Sequence, residues 1–334
     1  MPITTHFRGN WKSSTNLYPI QFFTHKIVPK KNTQGGVVRI QSRWVEYGLL
    51  LLAASIYGGI FPVNRIASNV GWPSLSFTFM QSIIAALALL AISLLKGRRI
   101  SMSRANIVSY VVIGGLVQGL PIGLLVHVAP HLDSSVLTLV LCLSPILTLL
   151  IGSISKRKAP DKLTIAGMIL GILGVTLIAW PGSVLADGSV LWFALALIAP
   201  FMFALANNCA VWLRPPAATS IVMATGTLLG ASFVVFFLMI VSNSPFLPPT
   251  LEEAQIRPLL LASGINAFFF LLFFHIIELI GPARFSLFNY LAVAAGIIWS
   301  MIVFGEMPGA MFWLATLLML AGMHLALNAK TRDA

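Results

Sequence analysis

The sequence predicts an all-α integral membrane protein with ten transmembrane helices arranged as two inverted five-helix repeats. Composition, the spacing of apolar runs, and a loop that recurs with its charge reversed all predict it. Of 334 residues, 58% are hydrophobic and 9% charged, where a soluble domain carries about 25% charged residues. Slid against itself by 148 positions, the chain places Lys156-Arg157-Lys158-Ala159-Pro160 on Phe304-Gly305-Glu306-Met307-Pro308. The prolines coincide and Lys158 falls on Glu306. The same shift pairs Gln118 with Asn266, His127 with His275 and Gly174 with Gly322. Opposite charge on equivalent loops fits opposite sides of a bilayer, so this pair of residues marks topology rather than transport chemistry.

A helix needs about 20 apolar residues to cross the hydrocarbon core. The runs of that length are 45–67, 73–95, 106–129, 133–154, 162–181, 189–212, 219–242, 257–279, 283–304 and 309–328. Helix breakers and charge separate them: Gly71-Trp72-Pro73, Lys96-Gly97-Arg98-Arg99, Pro130 to Asp133, Pro181-Gly182, Arg214-Pro215-Pro216 and Gly281-Pro282. Spans 3–5 superpose on spans 8–10 without a gap, and a shift of 144 pairs Asn64 of span 1 with Asn208 of span 6. An odd number of spans per unit starts the second copy from the opposite side. The division is a basic tail over 1–44 expected to be disordered, a first unit over 45–182, a second over 189–328, and a short C-terminus over 329–334.

With the N-terminus in the cytoplasm, 19 of the 21 Lys and Arg residues fall on the cytoplasmic side; only Arg65 and Arg257 fall outside. That bias sets both termini inside. The tryptophans Trp44, Trp72, Trp180, Trp192, Trp212 and Trp313 cluster at predicted span ends, where an amphipathic ring favours the headgroup level, while Trp299 lies deeper. The net charge of +12 is therefore topological and implies no nucleic-acid partner. Residues 1–44 hold no apolar core of a cleaved signal peptide. Cys142 and Cys209 sit in apolar runs, as buried small hydrophobes do. A P-loop, a zinc motif and a nucleophile elbow are absent from the sequence, which disfavours ATP-driven transport and intramembrane hydrolysis; no cofactor, metal or catalytic residue is expected.

Polar side chains at the bilayer midplane are costly, so they are the first functional candidates. Counting inward places Tyr57, Gln81, Gln118, Ser144 and Asn266 near the middle. Gln118 and Asn266 are repeat equivalents and could face one another across a cavity, each donating to and accepting from a solute; the alternative is interhelical packing. Gly115, Gly119 and Gly123 recur every four residues around Pro121, which suits either close packing or a kinked gate at Gly119 and Pro121. Asn64, Asn207, Asn208, Asn289 and Tyr290 lie off the midplane. Trp299 offers either core packing or a stacking face. Arg65 either snorkels to the interface or meets an anionic solute. His275 and Glu278, three residues apart on one helical face, are the candidates for proton coupling, since mid-membrane acids are absent from the sequence.

The ensemble resembles the drug/metabolite transporter superfamily, specifically its EamA-type members, over about residues 45–328. Tyr57-Gly58-Gly59-Ile60-Phe61-Pro62-Val63-Asn64-Arg65 is similar to the family's aromatic-Gly motif followed by a basic residue. Ser144-Pro145 resembles its mid-span proline, and Gly167, Gly171, Gly174, Gly305-Glu306 and Ala321-Gly322 its closing patterns. Arg157-Lys158 stands where the family has Gly-Glu, Gln81 where a basic residue is common, and span 9 lacks a counterpart of Pro145. In that family spans 1, 3, 4, 6, 8 and 9 surround the pathway. The resemblance therefore favours Tyr57, Gln118, Ser144, Asn208, Asn266 and Asn289 over Gln81. It implies a plasma-membrane secondary carrier, efflux included, that moves a small metabolite, amino-acid-like solute or drug by alternating access. The competing reading is a receptor or scaffold that moves nothing. Expected partners are a small-molecule substrate and membrane lipid, with a homodimer left open.

Overall fold

Proline and glycine decide where these apolar helices stop and bend. The computed structural model describes residues 36–155, 159–180, 189–213, 219–285 and 287–332; Lys156-Arg157-Lys158 and the tail before residue 36 lie outside them. In order, the helices are α1 (Gly36–Gly58), α2 (Ile60–Asn69), α3 (Ser74–Leu95), α4 (Arg104–Gly114), α5 (Leu120–Val128), α6 (Ser134–Val140), α7 (Leu143–Ser155) and α8 (Lys162–Ala179). They continue with α9 (Val190–Ala196), α10 (Ile198–Trp212), α11 (Ser220–Val241), α12 (Glu253–Phe285), α13 (Leu287–Phe304) and α14 (Ala310–Arg332). The described residues contain no strand. Eight helical segments among them are long and apolar enough to cross a membrane, and Phe288–Phe304 and Ala310–Ala326 are shorter apolar helices.

Four of the spans are interrupted, each a few residues before a proline. Between α1 and α2, Gly59 donates to Ile56 at 3.2 Å, and Pro62 has no N–H to return to the Gly58 carbonyl. A π-turn over Gly115–Gly119 joins α4 to α5, its wide bond running from Leu120 N–H to the Gly115 carbonyl, with Pro121 one residue on. Between α6 and α7, Pro145 cannot reach the Leu141 carbonyl, which takes the N–H of Ser144 at 3.0 Å instead. Between α9 and α10, Leu197 is a turn residue three positions before Pro200. The bend expected at Pro121 is thus a π-turn rather than a simple kink. In contrast, α12 runs through Gly281-Pro282 to Phe285, where a break was expected, and α1 begins at Gly36, well before residue 45.

The packing exchanges the two halves. α8 lies on α14 and α3 on α11; α1 packs on α13 as α10 packs on α7, and α3 packs on α12 as α11 packs on α4. Each pairing maps onto another, or onto itself, when the halves are swapped. The α8–α14 contact also fixes direction. A Cβ on Gly167 would meet the carbonyl of Gly322, whereas one on Gly174 would meet Met319 and the Ala315 carbonyl. Rising numbers on α8 face falling numbers on α14, so the two equivalents run antiparallel.

Small residues set the approach distances. Cβ atoms on Gly58, Gly114 and Gly230 would meet the backbone of Gly296, Thr227 and Tyr110 at 2.6, 2.1 and 2.0 Å. Such close approach suits a solvent in which helices gain by packing rather than by hydrophobic burial. The outward faces carry Ile165, Ile169, Ile172, Leu173, Phe233, Phe237 and Ile240, all exposed, as a hydrocarbon-facing surface requires. One shallow apolar groove of about 330 Å³ opens there, lined by Ile56, Leu260, Leu261, Gly264, Ile265 and Phe268.

Candidate solute site and the face that closes it

Six carboxamides are buried among the described residues, and four of them keep an unpaired atom: Asn64 on α2, Gln81 on α3, Gln118 in the π-turn and Asn266 on α12. Asn266 is not paired with Gln118. Its Nδ2 donates to Gln81 Oε1 at 2.8 Å, across the α3–α12 contact. Gln81 Nε2 and Asn266 Oδ1 have no protein partner, and neither has Gln118 Nε2 nor either side-chain atom of Asn64. An unmet buried amide atom costs about 1–3 kcal/mol. Five such atoms lie within the bundle. The glycines around Gln118 pack closely: Cβ atoms on Gly115 and Gly119 would press on Val234 and Val235 of α11, and one on Gly123 would touch Leu75 and Thr78 of α3. The glycine stripe therefore seats the π-turn against two helices.

The other candidates divide by surroundings. Tyr57, at the α1–α2 break, stacks on Phe269 with ring centroids 4.1 Å apart and leans on Phe61 and Phe288. Ser144 is buried at the start of α7, and its carbonyl accepts the Thr148 hydroxyl at 2.7 Å. Asn208 donates to the carbonyls of Thr148 and Ala204 at 3.1 and 2.9 Å, and Asn207 donates to Thr148 Oγ1 at 3.2 Å, so this pair ties α10 to α7. Asn289 is half-buried on α13 beside Tyr290, whose hydroxyl has no partner. Trp299 is 41% exposed on the outer surface of α13. Its indole N–H reaches the Ser55 carbonyl at 2.9 Å, a group that the break at Gly59 leaves without its helical partner. His275 is exposed on α12, and the side chain of Glu278 lies outside the described residues.

Sequence reasoning undervalued one cluster. Arg65 donates to Glu306 at 2.5 Å and to Asp133 at 3.3 Å, with its guanidinium carbon 4.6 Å above the Phe304 ring. Glu306 also accepts the backbone N–H groups of Ser134 and Ser135 at 3.0 and 3.1 Å, so it caps α6 from the opposite half of the chain. The Asp133 carboxyl, outside the spans, is held above its ordinary range, first by burial and then by the charge of Glu306, with Arg65 opposing. The missed signal is simple: Arg65 and Glu306 are rare charges at span ends that share a face, and opposite charges in low dielectric seek each other. Nearby, His131 stacks on Trp192 at 3.8 Å and His127 meets the same ring edge-on.

Contacts differ between the two faces. On the Glu306 face, α2 packs on α5, α6, α12 and α13 together. Towards the face bearing both described chain ends, α1 stays with α12 and α13, while α7 stays with α10, α8 and α14. Among the described residues, neither α1 nor α13 makes an extensive contact with α7 or α10. Among the described residues, the two halves therefore meet more extensively on the Glu306 face than on the other.

Two similar halves, interrupted spans and an apolar exterior define a multi-pass integral membrane protein built by duplication. The model of the EamA-like transporter family matches residues 44–180 and again 190–328, and the chain belongs to that family. A solved structure titled only as the crystal structure of a protein aligns with 86% of this chain and 98% of its own, at TM-score 0.57 and 19% identity. At that identity the likeness speaks for the fold alone. No curated protein sequence matches.

Proposed function

We propose that this protein is a ten-span secondary carrier that moves a small metabolite, amino-acid-like solute or drug across the plasma membrane by alternating access. The observation that carries it is a set of buried carboxamides with unpaired atoms, Asn64 and Gln118 on proline-interrupted spans and Gln81 and Asn266 on the helices packed against those spans. Discontinuous helices at mid-depth are how carriers expose backbone and amide groups to a solute. In this reading Gln118, with Gln81 and Asn266, holds the solute by hydrogen bonds and carries no charge to it. Tyr57 and Ser144 flank the site, and Asn208 and Asn289 border the route to it. Gly119, at the end of the π-turn, and Pro121, just beyond it, are the candidates for a gate in span 3, and His275 and Glu278 stand as the candidates for coupling.

The orientation follows from charge. With 19 of the 21 basic residues on one side, both termini are cytoplasmic and the Glu306 face is external. The equivalents α8 and α14, being antiparallel, support an inverted repeat whose halves rock about the site.

The test is flux. Reconstituted into proteoliposomes, the protein should accumulate or release at least one radiolabelled member of a panel of amino acids, nucleosides and cationic drugs. Gln118→Ala and Asn266→Ala should each lower that flux roughly tenfold, the effect of one lost hydrogen bond to solute. Specific binding without flux across the panel would replace the carrier with a receptor, and full flux in the double variant would remove the amides from the site.

A further inference from the structure

One carboxylate ties the two halves together on one face of the bundle. Glu306 follows α13 in the second half; its partners Arg65, Ser134 and Ser135 all belong to the first. We propose that Arg65 and Glu306 form an ionic latch that shuts the external face and must part and re-form as the protein changes conformation. The inference rests on the transporter reading for the need to open, while the latch itself is a statement about conformation.

Burial makes the pair strong enough to matter: the side chains of Glu306 and Arg65 are 9% and 20% exposed. Its chemistry makes it reversible. Separated ions regain the hydration they lost on pairing, so opening a charged contact into water recovers much of its cost. The two N–H groups at the start of α6 behave the same way, needing Glu306 only while the face is shut. An apolar seal of similar extent would recover nothing on wetting. The latch also stands where α2 gathers α5, α6, α12 and α13. One interaction therefore joins both halves on this face, and no counterpart among the described residues joins α1 to α7 towards the other.

The experiment is a distance measurement in the full chain, reconstituted in lipid. With the buried Cys142 and Cys209 replaced by alanine, spin labels at Pro130→Cys and Met307→Cys report the gap across this face from two exposed positions. The background with Arg65 and Glu306 intact should give one short distance. Arg65→Gln and Glu306→Gln should each raise the ratio of long to short distances roughly tenfold. Arg65→Gln leaves α6 capped by Glu306, so it tests the latch even where Glu306→Gln fails to fold. A wild-type distance distribution in monodisperse, fully helical Arg65→Gln protein overturns the proposal, whatever its melting temperature. A lengthened distance in a protein that moves no solute upholds the latch and removes the carrier reading.

Discussion

Gly167 and Gly322 face each other with no side chain between them: a Cβ on Gly167 would lie 2.4 Å from the Gly322 carbonyl oxygen, and one on Gly322 2.5 Å from that of Gly167. The reciprocity is what a two-fold relation between α8 and α14 produces. Alanine at either position must push the helices apart. Gly167→Ala and Gly322→Ala should each cost about 1–3 kcal/mol, read as a lowered Tm in detergent with a thiol-reactive dye reporting exposure of Cys142 and Cys209. Gly264, whose added Cβ would meet nothing within 4 Å, is the control. Gly264→Ala should leave Tm unchanged or raised by the equivalent of up to about 1 kcal/mol of helix propensity.

Trp299 should matter for stability rather than for solute. Its indole N–H satisfies the Ser55 carbonyl at the break in span 1. Trp299→Phe keeps a ring and loses that bond, so it should lower stability by about 0.6–1.7 kcal/mol, the range for interhelical bonds in membranes. Thermal melts measure the loss, and solute binding by the folded protein should be unchanged. A selective loss of binding would return Trp299 to the site.

The Asn266–Gln81 bond predicts coupling between two helices distant in sequence. In a double-mutant cycle of Gln81→Leu and Asn266→Leu, the coupling energy should be about 0.6 kcal/mol and at most about 1.7. Gln118→Leu with Asn266→Leu should be additive in stability, because those two residues are not bonded to one another. Unfolding in mixed micelles gives the numbers, and strong coupling of Gln118 with Asn266 would contradict the pairing.

Asp133 contributes differently from Glu306. A carboxyl whose folded pKa is raised destabilises the fold while ionised, and the penalty fades as pH falls through that raised value. At neutral pH Asp133→Asn should therefore leave Tm unchanged or slightly higher, within about 1 kcal/mol for a half-exposed group. The difference from wild type should vanish in acid. A clear loss of stability at neutral pH would show that Arg65 outweighs burial at this site.

Much of the fold was legible. Prolines 62, 121, 145 and 200 have no N–H, and helices had to yield near them wherever no neighbour compensated. Pro282 shows the limit of that rule, for α12 runs through it. The candidate site was legible as a set of residues but not as a set of contacts. Repeat symmetry suggested Gln118 opposite Asn266, yet symmetry relates positions and not their surroundings. Asn266 meets Gln81 on α3; the residue 144 positions beyond Gln81 is Thr225 on α11, whose hydroxyl bonds its own helix at the Ile221 carbonyl. An amide pair on one side thus has no amide pair on the other.

The sequence by itself determined the membrane, the duplication and the bend beside Pro121, because hydropathy, internal likeness and the missing N–H of proline act locally. Tertiary structure alone decided which polar groups are spent on one another. Asn208 belongs to α7, Trp299 to Ser55 and Asn266 to Gln81, and Gln118 is left with an unmet donor. It also turned Glu306 from a marker of sidedness into the cap of α6 and the partner of Arg65. In a medium without water, every buried polar atom seeks a partner among its neighbours, and neighbours more than 240 residues apart in the chain, such as Arg65 and Glu306, exist only after packing.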